Sequence, residues 1–275
     1  MNPTNLSRTS LLCADDYALH PMVDDAVRQL TLAARLSATS CMTSSPRWPQ
    51  AAAALKDLRP RLSVGLHFNL TEDHGGTHAA QALGTVIRNA YTRQMPAAQM
   101  RKAWREQLDA FELAMGTAPD FIDGHQHVHQ LPGLRAAMQA ELQSRYAAHE
   151  MPWVRSTAPA AGLWRSPKAA IIALLGGWTA TRQMRHRGIP MNHGFGGVYG
   201  FDAPDAASYG AQMAGWLPHM AEGGLLMCHP ASGVMEGDAI GKQRPVEFEY
   251  LMSDAFGQLL QQNGCHIHQG AINLG

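Results

Sequence analysis

Along Phe121-Ile122-Asp123-Gly124-His125-Gln126-His127-Val128-His129, one aspartate and three histidines occupy alternate positions. Alternate side chains of an extended strand share one face at about 3.3 Å per residue, so the spacing predicts that these four groups converge. Neutral imidazole is the commonest protein metal ligand, and the expected chemistry is that of a divalent metal ion. A solvated histidine-rich loop is the plain alternative. Strand parity alone does not choose between His125 and His127 as the ligand.

Other chemically able residues follow short apolar runs. Leu11-Leu12-Cys13-Ala14 leads into Asp15-Asp16, two carboxylates that point in different directions, so that one can bind a metal while the other serves as a general base. Their structural alternative is a cap on a helix opening at Pro21. His67 lies towards the far end of the run 62–70, and His229 follows Gly224-Leu225-Leu226-Met227-Cys228 as a candidate proton donor or a core histidine bonded to backbone. Arg244, three residues before Glu247, is placed to hold Asp15 ionised or to form an ordinary helix-start ion pair. Two histidines and a carboxylate leave coordination positions open, where a water's pKa falls from 15.7 towards about 7. No Gly-x-Ser-x-Gly turn and no recognisable Cys-His arrangement is present, which disfavours a covalent intermediate.

Strand-like and helix-like runs alternate along the chain and would position these groups. Strands are expected at 11–14, 38–42, 62–70, 121–129, 152–155, 224–230 and 265–268. Helices are expected at 21–36, 48–58, 97–115, 134–149, 166–187, 204–221 and 245–262. Residues 71–96 read as a long loop, and the glycine-rich 192–200 as a rim or lid. The apolar part of 166–187 is too short to span a bilayer and reads as a crossover helix packing on the sheet, with a membrane or lipid contact as the alternative. Such alternation belongs to an α/β parallel sheet, and 275 residues suit one domain built as a closed or partly closed (β/α) TIM-like barrel. Sites on that fold lie at the carboxyl ends of strands, where Asp15, Asp16, His67, His125 and His229 all fall.

Lys+Arg and Asp+Glu balance at 22 each, so the total charge offers no footprint for nucleic acid or an anionic membrane surface. Residues 1–10 are polar without a signal-peptide pattern; a cytoplasmic protein with a flexible segment at 1–9 is expected. The four cysteines are far apart and read as buried free thiols. Spare apolar helix surface would suit a homodimer.

Four segments, Ala14-Asp15-Asp16-Tyr17, Gly65-Leu66-His67-Phe68-Asn69-Leu70-Thr71, Asp123-Gly124-His125-Gln126-His127-Val128-His129 and Met227-Cys228-His229-Pro230, together resemble the YdjC-like family, the ChbG/HpnK carbohydrate deacetylases. The resemblance implies a deformed (β/α) barrel related to NodB-type polysaccharide deacetylases, and hydrolysis of the N-acetyl group of an amino sugar. It also implies one divalent metal, magnesium or zinc, held by Asp16, His67 and His125, with Asp15 as base and His229 as acid. His127 and Asn69 are then expected on the substrate side. Tyr17-Ala18-Leu19-His20 stands where the family usually has Phe-Gly-Leu-Ser, and Gly124 where Ser is common; both touch the pocket wall and bear on substrate identity. Competing readings are an amidohydrolase or phosphoesterase with the same ligand types, and a sugar- or metal-binding barrel without turnover.

Overall fold

The computed structural model describes residues 8–74, 80–272 and 274. Eight strands form one parallel sheet: β1 (Arg8–Tyr17), β2 (Ala38–Cys41), β3 (Ser63–Phe68), β4 (Phe121–Gly124), β5 (Trp153–Val154), β6 (Phe195–Gly196), β7 (Gly224–Cys228) and β8 (Cys265–Ile267). Their order is β5-β4-β3-β2-β1-β7-β6, with β8 beside the first residues of β1. Isolated parallel bridges, Val154 to Met191 and Pro159 to Phe195, span the gap between β5 and β6. The sheet therefore curls into an irregular TIM-like barrel. Around it run α1 (Pro21–Leu32), α2 (Trp48–Lys56), α3 (Leu83–Tyr91), α4 (Ala97–Met115), α5 (Leu134–Arg145), α6 (Pro167–Ile172), α7 (Trp178–His186), α8 (Ala206–Trp216), α9 (Gln243–Met252) and α10 (Asp254–Gln262).

The period of two along each strand sorts side chains between the barrel interior and the helix layer. Leu12, Ala14, Val64, Leu66 and Ile122 face the helices and join the larger core. There Trp104 stacks on Phe68 at 3.6 Å between ring centres and Trp48 on Phe111 at 5.5 Å, with both indole N–H groups donating to helix carbonyls. The opposite parity, Leu11, Cys13, Phe121, Trp153, Phe195, Leu225 and Met227, forms a second core inside the barrel. Following that inward parity to the strand ends reaches Asp15, Ser40, His67, Asp123, Arg155 and His229. The interior is thus apolar at its floor and ionisable at its mouth.

Gly197, just after β6, shows how closely the strands approach: its φ is +89°, and a Cβ there would meet Met227 O at 2.2 Å. Backbone cannot yield as a flexible side chain can, so Gly197→Ala is expected to lower unfolding stability by about 2–4 kcal/mol in a urea titration. A loss within 0.5 kcal/mol, roughly the range of a neutral surface change, would contradict this packing.

Several expectations change. Residues 1–7 of the expected flexible segment lie outside the described residues, while Arg8 and Thr9 already belong to β1. The interval read as one loop holds α3, whose Leu83, Val86, Ile87 and Ala90 pack inward at helical spacing. The single helix expected over 166–187 is two, α6 and α7, joined by a π turn kinked at Gly176 (φ +127°), and it leaves Ile171, Leu174 and Trp178 exposed. All four cysteines are buried and free. Among the described residues no helix is long and apolar enough to cross a membrane.

Candidate functional site

β1 does not stop at the carboxylate pair. It continues to Tyr17 through an irregularity between Ala14 and Tyr17, where Asp16 adopts φ +69°. A regular strand would send Asp15 and Asp16 to opposite faces; the bulge lets both carboxylates work at the barrel mouth. Neither caps α1, whose first turn is capped by the His20 ring accepting from Met22 N at 3.2 Å.

Asp16, His67 and His125 each offer a ligand atom within 4.8 Å of the others. Asp16 Oδ1 lies 3.3 Å from His67 Nε2 and 3.0 Å from His125 Nδ1, and its Oδ2 accepts from Arg244 Nη2 at 2.8 Å. Burial opposes ionisation of Asp16, but Arg244 and His125 hold its carboxyl well below the usual range. His67 Nδ1 lies 2.6 Å from Asp123 Oδ1, which orients the ring and leaves Nε2 facing Asp16. A carboxylate on the far nitrogen of an imidazole is the usual support of a metal-ligating histidine. Burial would lower the His67 pKa; Asp123 outweighs it, pushing the pKa up to about 10. Among the buried groups, Asp15, Asp16 and Asp123 are balanced by Arg155, Arg244 and a protonated His67, and a bound cation would take the place of the His67 proton. Donor types and convergence both fit a divalent ion.

Asp15 is clamped by Arg155. Nη1 donates to Oδ2 and Nη2 to Oδ1, each at 2.6 Å, and Ser40 Oγ donates to Oδ1 at 3.1 Å. The burial penalty on the Asp15 carboxylate is outweighed by Arg155, and its pKa is depressed. Arg155 Nη2 also approaches Asp123 Oδ2 at 2.5 Å and donates to Cys13 Sγ at 3.0 Å. Cys13, Asp15 and Asp123 form a second convergent set of ligand types, but the guanidinium already supplies its positive charge.

His229 brings Nε2 to 3.9 Å from Asp15 Oδ2. Burial lowers its pKa to about 4, so the ring is neutral near pH 7. Glu247 from α9 accepts the His229 backbone N–H at 2.6 Å and the Tyr199 hydroxyl, fixing the segment that carries the ring. Burial pushes Glu247 up to about 7 against those two bonds.

The geometry revises three expectations. Arg244, expected on Asp15, bonds Asp16 and Asp238 instead; Arg155 takes Asp15, because the bulge turns Asp16 towards α9. The histidine stretch is not one strand: β4 ends at Gly124, and Gln126 and His127 take left-handed φ of 51° and 61° in a 3-10 turn. His129 consequently leaves the site, its Nε2 bonded to Arg155 O at 3.1 Å. Asn69, expected to meet substrate, has its amide committed to Ser44, Thr71 and Glu72, which ties down the chain after β3. His127 stands outside the convergent triad, as expected; burial and then Arg155 lower its pKa to about 3, and its buried Nδ1 has no partner among the described residues. Arg155, Ser40 and Glu247 were not singled out from the sequence as site residues.

Residues 11–262 match the family described as YdjC-like protein. Over 147 residues the chain is 28% identical to the "Carbohydrate deacetylase" of Mus musculus, a match covering 49% of this chain and 47% of the relative. Over 149 residues it is 28% identical to the "Chitooligosaccharide deacetylase" of Serratia marcescens, covering 51% and 58%. The chain thus spans about half the length of the curated relatives it matches. A solved structure from Enterococcus faecalis V583, named for cellobiose-phosphate cleavage, superposes with a TM-score of 0.69 at 17% identity, covering 95% of this chain and 97% of that one. At that identity the likeness concerns the fold.

Proposed function

The chain belongs to the YdjC-like protein family, and from that premise and the geometry above we infer that it is a metal-dependent carbohydrate deacetylase. Its substrate in this reading is an acetylated amino sugar of the N-acetylglucosamine type, and the reaction is hydrolysis of the acetamide to acetate and a free amine. The names of the matched relatives support the substrate class. The observation that carries the reading is the convergence of Asp16, His67 and His125 beside an Asp15 that remains free of them.

Asp16, His67 and His125 would hold one divalent ion, magnesium or zinc. When bound, that ion would supply a Lewis acid that polarises the acetyl carbonyl and acidifies the attacking water. Asp15 accepts the proton lost as the water oxygen bonds to the acetyl carbon. The Arg155 clamp keeps Asp15 ionised and aimed, and the low basicity that results suits a base that passes its proton on. His229, neutral at rest, is too weak an acid in that state to protonate the leaving group. The proton instead reaches Nε2 from Asp15 by way of one water, since 3.9 Å exceeds direct hydrogen-bond reach, and goes to the amine nitrogen as the carbon–nitrogen bond breaks. His127, neutral and with a free Nδ1 in the pocket, is left to contact the sugar. Free buried thiols accord with a cytoplasmic setting.

The direct test is acetate release from N-acetylglucosamine oligomers. Turnover is expected with added magnesium or zinc, to fall at least ~100-fold with chelator, and to return when the metal is restored. Full turnover in chelator, or none on any acetylated sugar of the panel, would overturn the reading.

A further inference from the structure

The balanced total charge hides a local excess. Between Glu150 and Asp202 the sequence has Arg155, Arg165, Lys168, Arg182, Arg185 and Arg187 and no Asp or Glu. Arg155 is buried in the carboxylate cluster, whereas the other five are exposed and none is ion-paired among the described residues. The same segment carries exposed large apolar side chains: Trp164 at 56%, Ile171 at 55%, Leu174 at 69% and Trp178 at 47%. Within α7, Trp178, Arg182 and Arg185 recur at i, i+4 and i+7, the spacing of one helical face, and the exposed Ile171 and Leu174 precede the kink at Gly176.

This face is held rigidly. At the kink a Cβ on Gly176 would meet Gln130 O at 2.6 Å, and one on Gly177 would meet Thr157 Oγ1 at 2.6 Å. Gln130 Nε2 also donates to Ile172 O at 2.8 Å. Gln130 ends the turn that carries His125 and His127, so the apolar face is braced against the back of the site. Beside α7 a groove of about 410 Å³ is lined by Arg135, Gln139, Gln183, His186 and Arg187, a setting for an anionic group.

We propose that the face formed by residues 164–187 docks on an anionic lipid surface. Tryptophan and aliphatic side chains enter the headgroup boundary while flanking cations meet phosphate, the combination that holds interfacial helices to membranes. A second copy docked by two-fold symmetry would bring the same unpaired cations face to face. A nucleic acid would leave Ile171 and Leu174 without apolar partners. The proposal is independent of the deacetylase reading, and its test needs no turnover.

The experiment is co-sedimentation of the full chain with phosphatidylcholine vesicles and with vesicles in which about a third of the lipid is phosphatidylglycerol. Binding is expected on the anionic vesicles only and is expected to weaken as salt rises. The double variants Leu174→Ser with Trp178→Ser, and Arg182→Glu with Arg185→Glu, should each reduce binding by about tenfold or more. Because these side chains are exposed, thermal melts of both should match the parent. Absence of binding to anionic vesicles, or parental binding by either double variant, would overturn the proposal. So would a dimer in analytical ultracentrifugation that Leu174→Ser with Trp178→Ser converts to monomer, since the face would then belong to a second copy.

Discussion

Asp15→Asn is expected to lower kcat for acetate release by roughly 10²–10⁴-fold while leaving the bound metal in place. The amide keeps the shape of the side chain and can still accept from Arg155, but it cannot take a proton from water. Asp15 lies outside the Asp16, His67 and His125 group, so metal content should match the parent. KM should change little, because the lost interaction belongs to proton transfer rather than to sugar binding. The same substitution also deprives His229 of the proton that Asp15 passes to it in the proposed relay. An unaltered kcat would remove Asp15 from the base role, and a loss of metal together with kcat would make it a ligand instead.

Arg155→Met should have the largest effect on stability. The substitution leaves Asp15 and Asp123 buried without their shared cation, and breaking a buried pair of this kind costs about 3–5 kcal/mol. Urea unfolding at neutral pH measures it. The pH dependence should change in a way that a mere packing defect would not produce. In the parent, Asp15 has a depressed folded pKa, so its contribution to stability is present above the unfolded value of about 3.9 and is lost as pH falls. In the variant only His67, His229 and the Ser40 hydroxyl still oppose burial, so the folded pKa rises. The Asp15 contribution above about pH 3.9 then shrinks, and this part of the stability curve should flatten in the metal-free protein. A small loss with the parental slope would mean that Arg155 is not what neutralises the two carboxylates.

Legibility in the sequence followed the length of the strand that carries each residue. Asp15, Asp16, His67 and His229 stand after apolar runs long enough to read as buried strands, and their place at the barrel mouth follows from the parallel fold. Arg155 follows a strand of two residues, too short to have a periodicity. It shares parity with Trp153, but only the sheet shows that this parity faces inward. Arg244 was visible, yet its partner depends on a non-glycine residue at φ +69° within β1, which no local pattern announces. His127 and His129 were read on strand parity, and the strand had already ended at Gly124. Asn69 has the right type and place for substrate, but backbone groups of the chain after β3 take up its amide.

The balance of charge in the composition was a poor guide to surface electrostatics for a similar reason. An average over 275 residues says nothing about a 51-residue interval (151–201) without a carboxylate side chain. What decides whether such an interval has consequences is burial, since Arg155 is neutralised inside the barrel while Arg182 and Arg185 face solvent.

Equilibrium dialysis against magnesium or zinc is the measurement closest to the central claim. The parent chain is predicted to retain one ion, and His67→Ala and Asp16→Ala to retain none while keeping the parental circular dichroism. A parent that retains no ion, or variants that retain it as the parent does, would contradict the metal centre and with it the proposed hydrolysis.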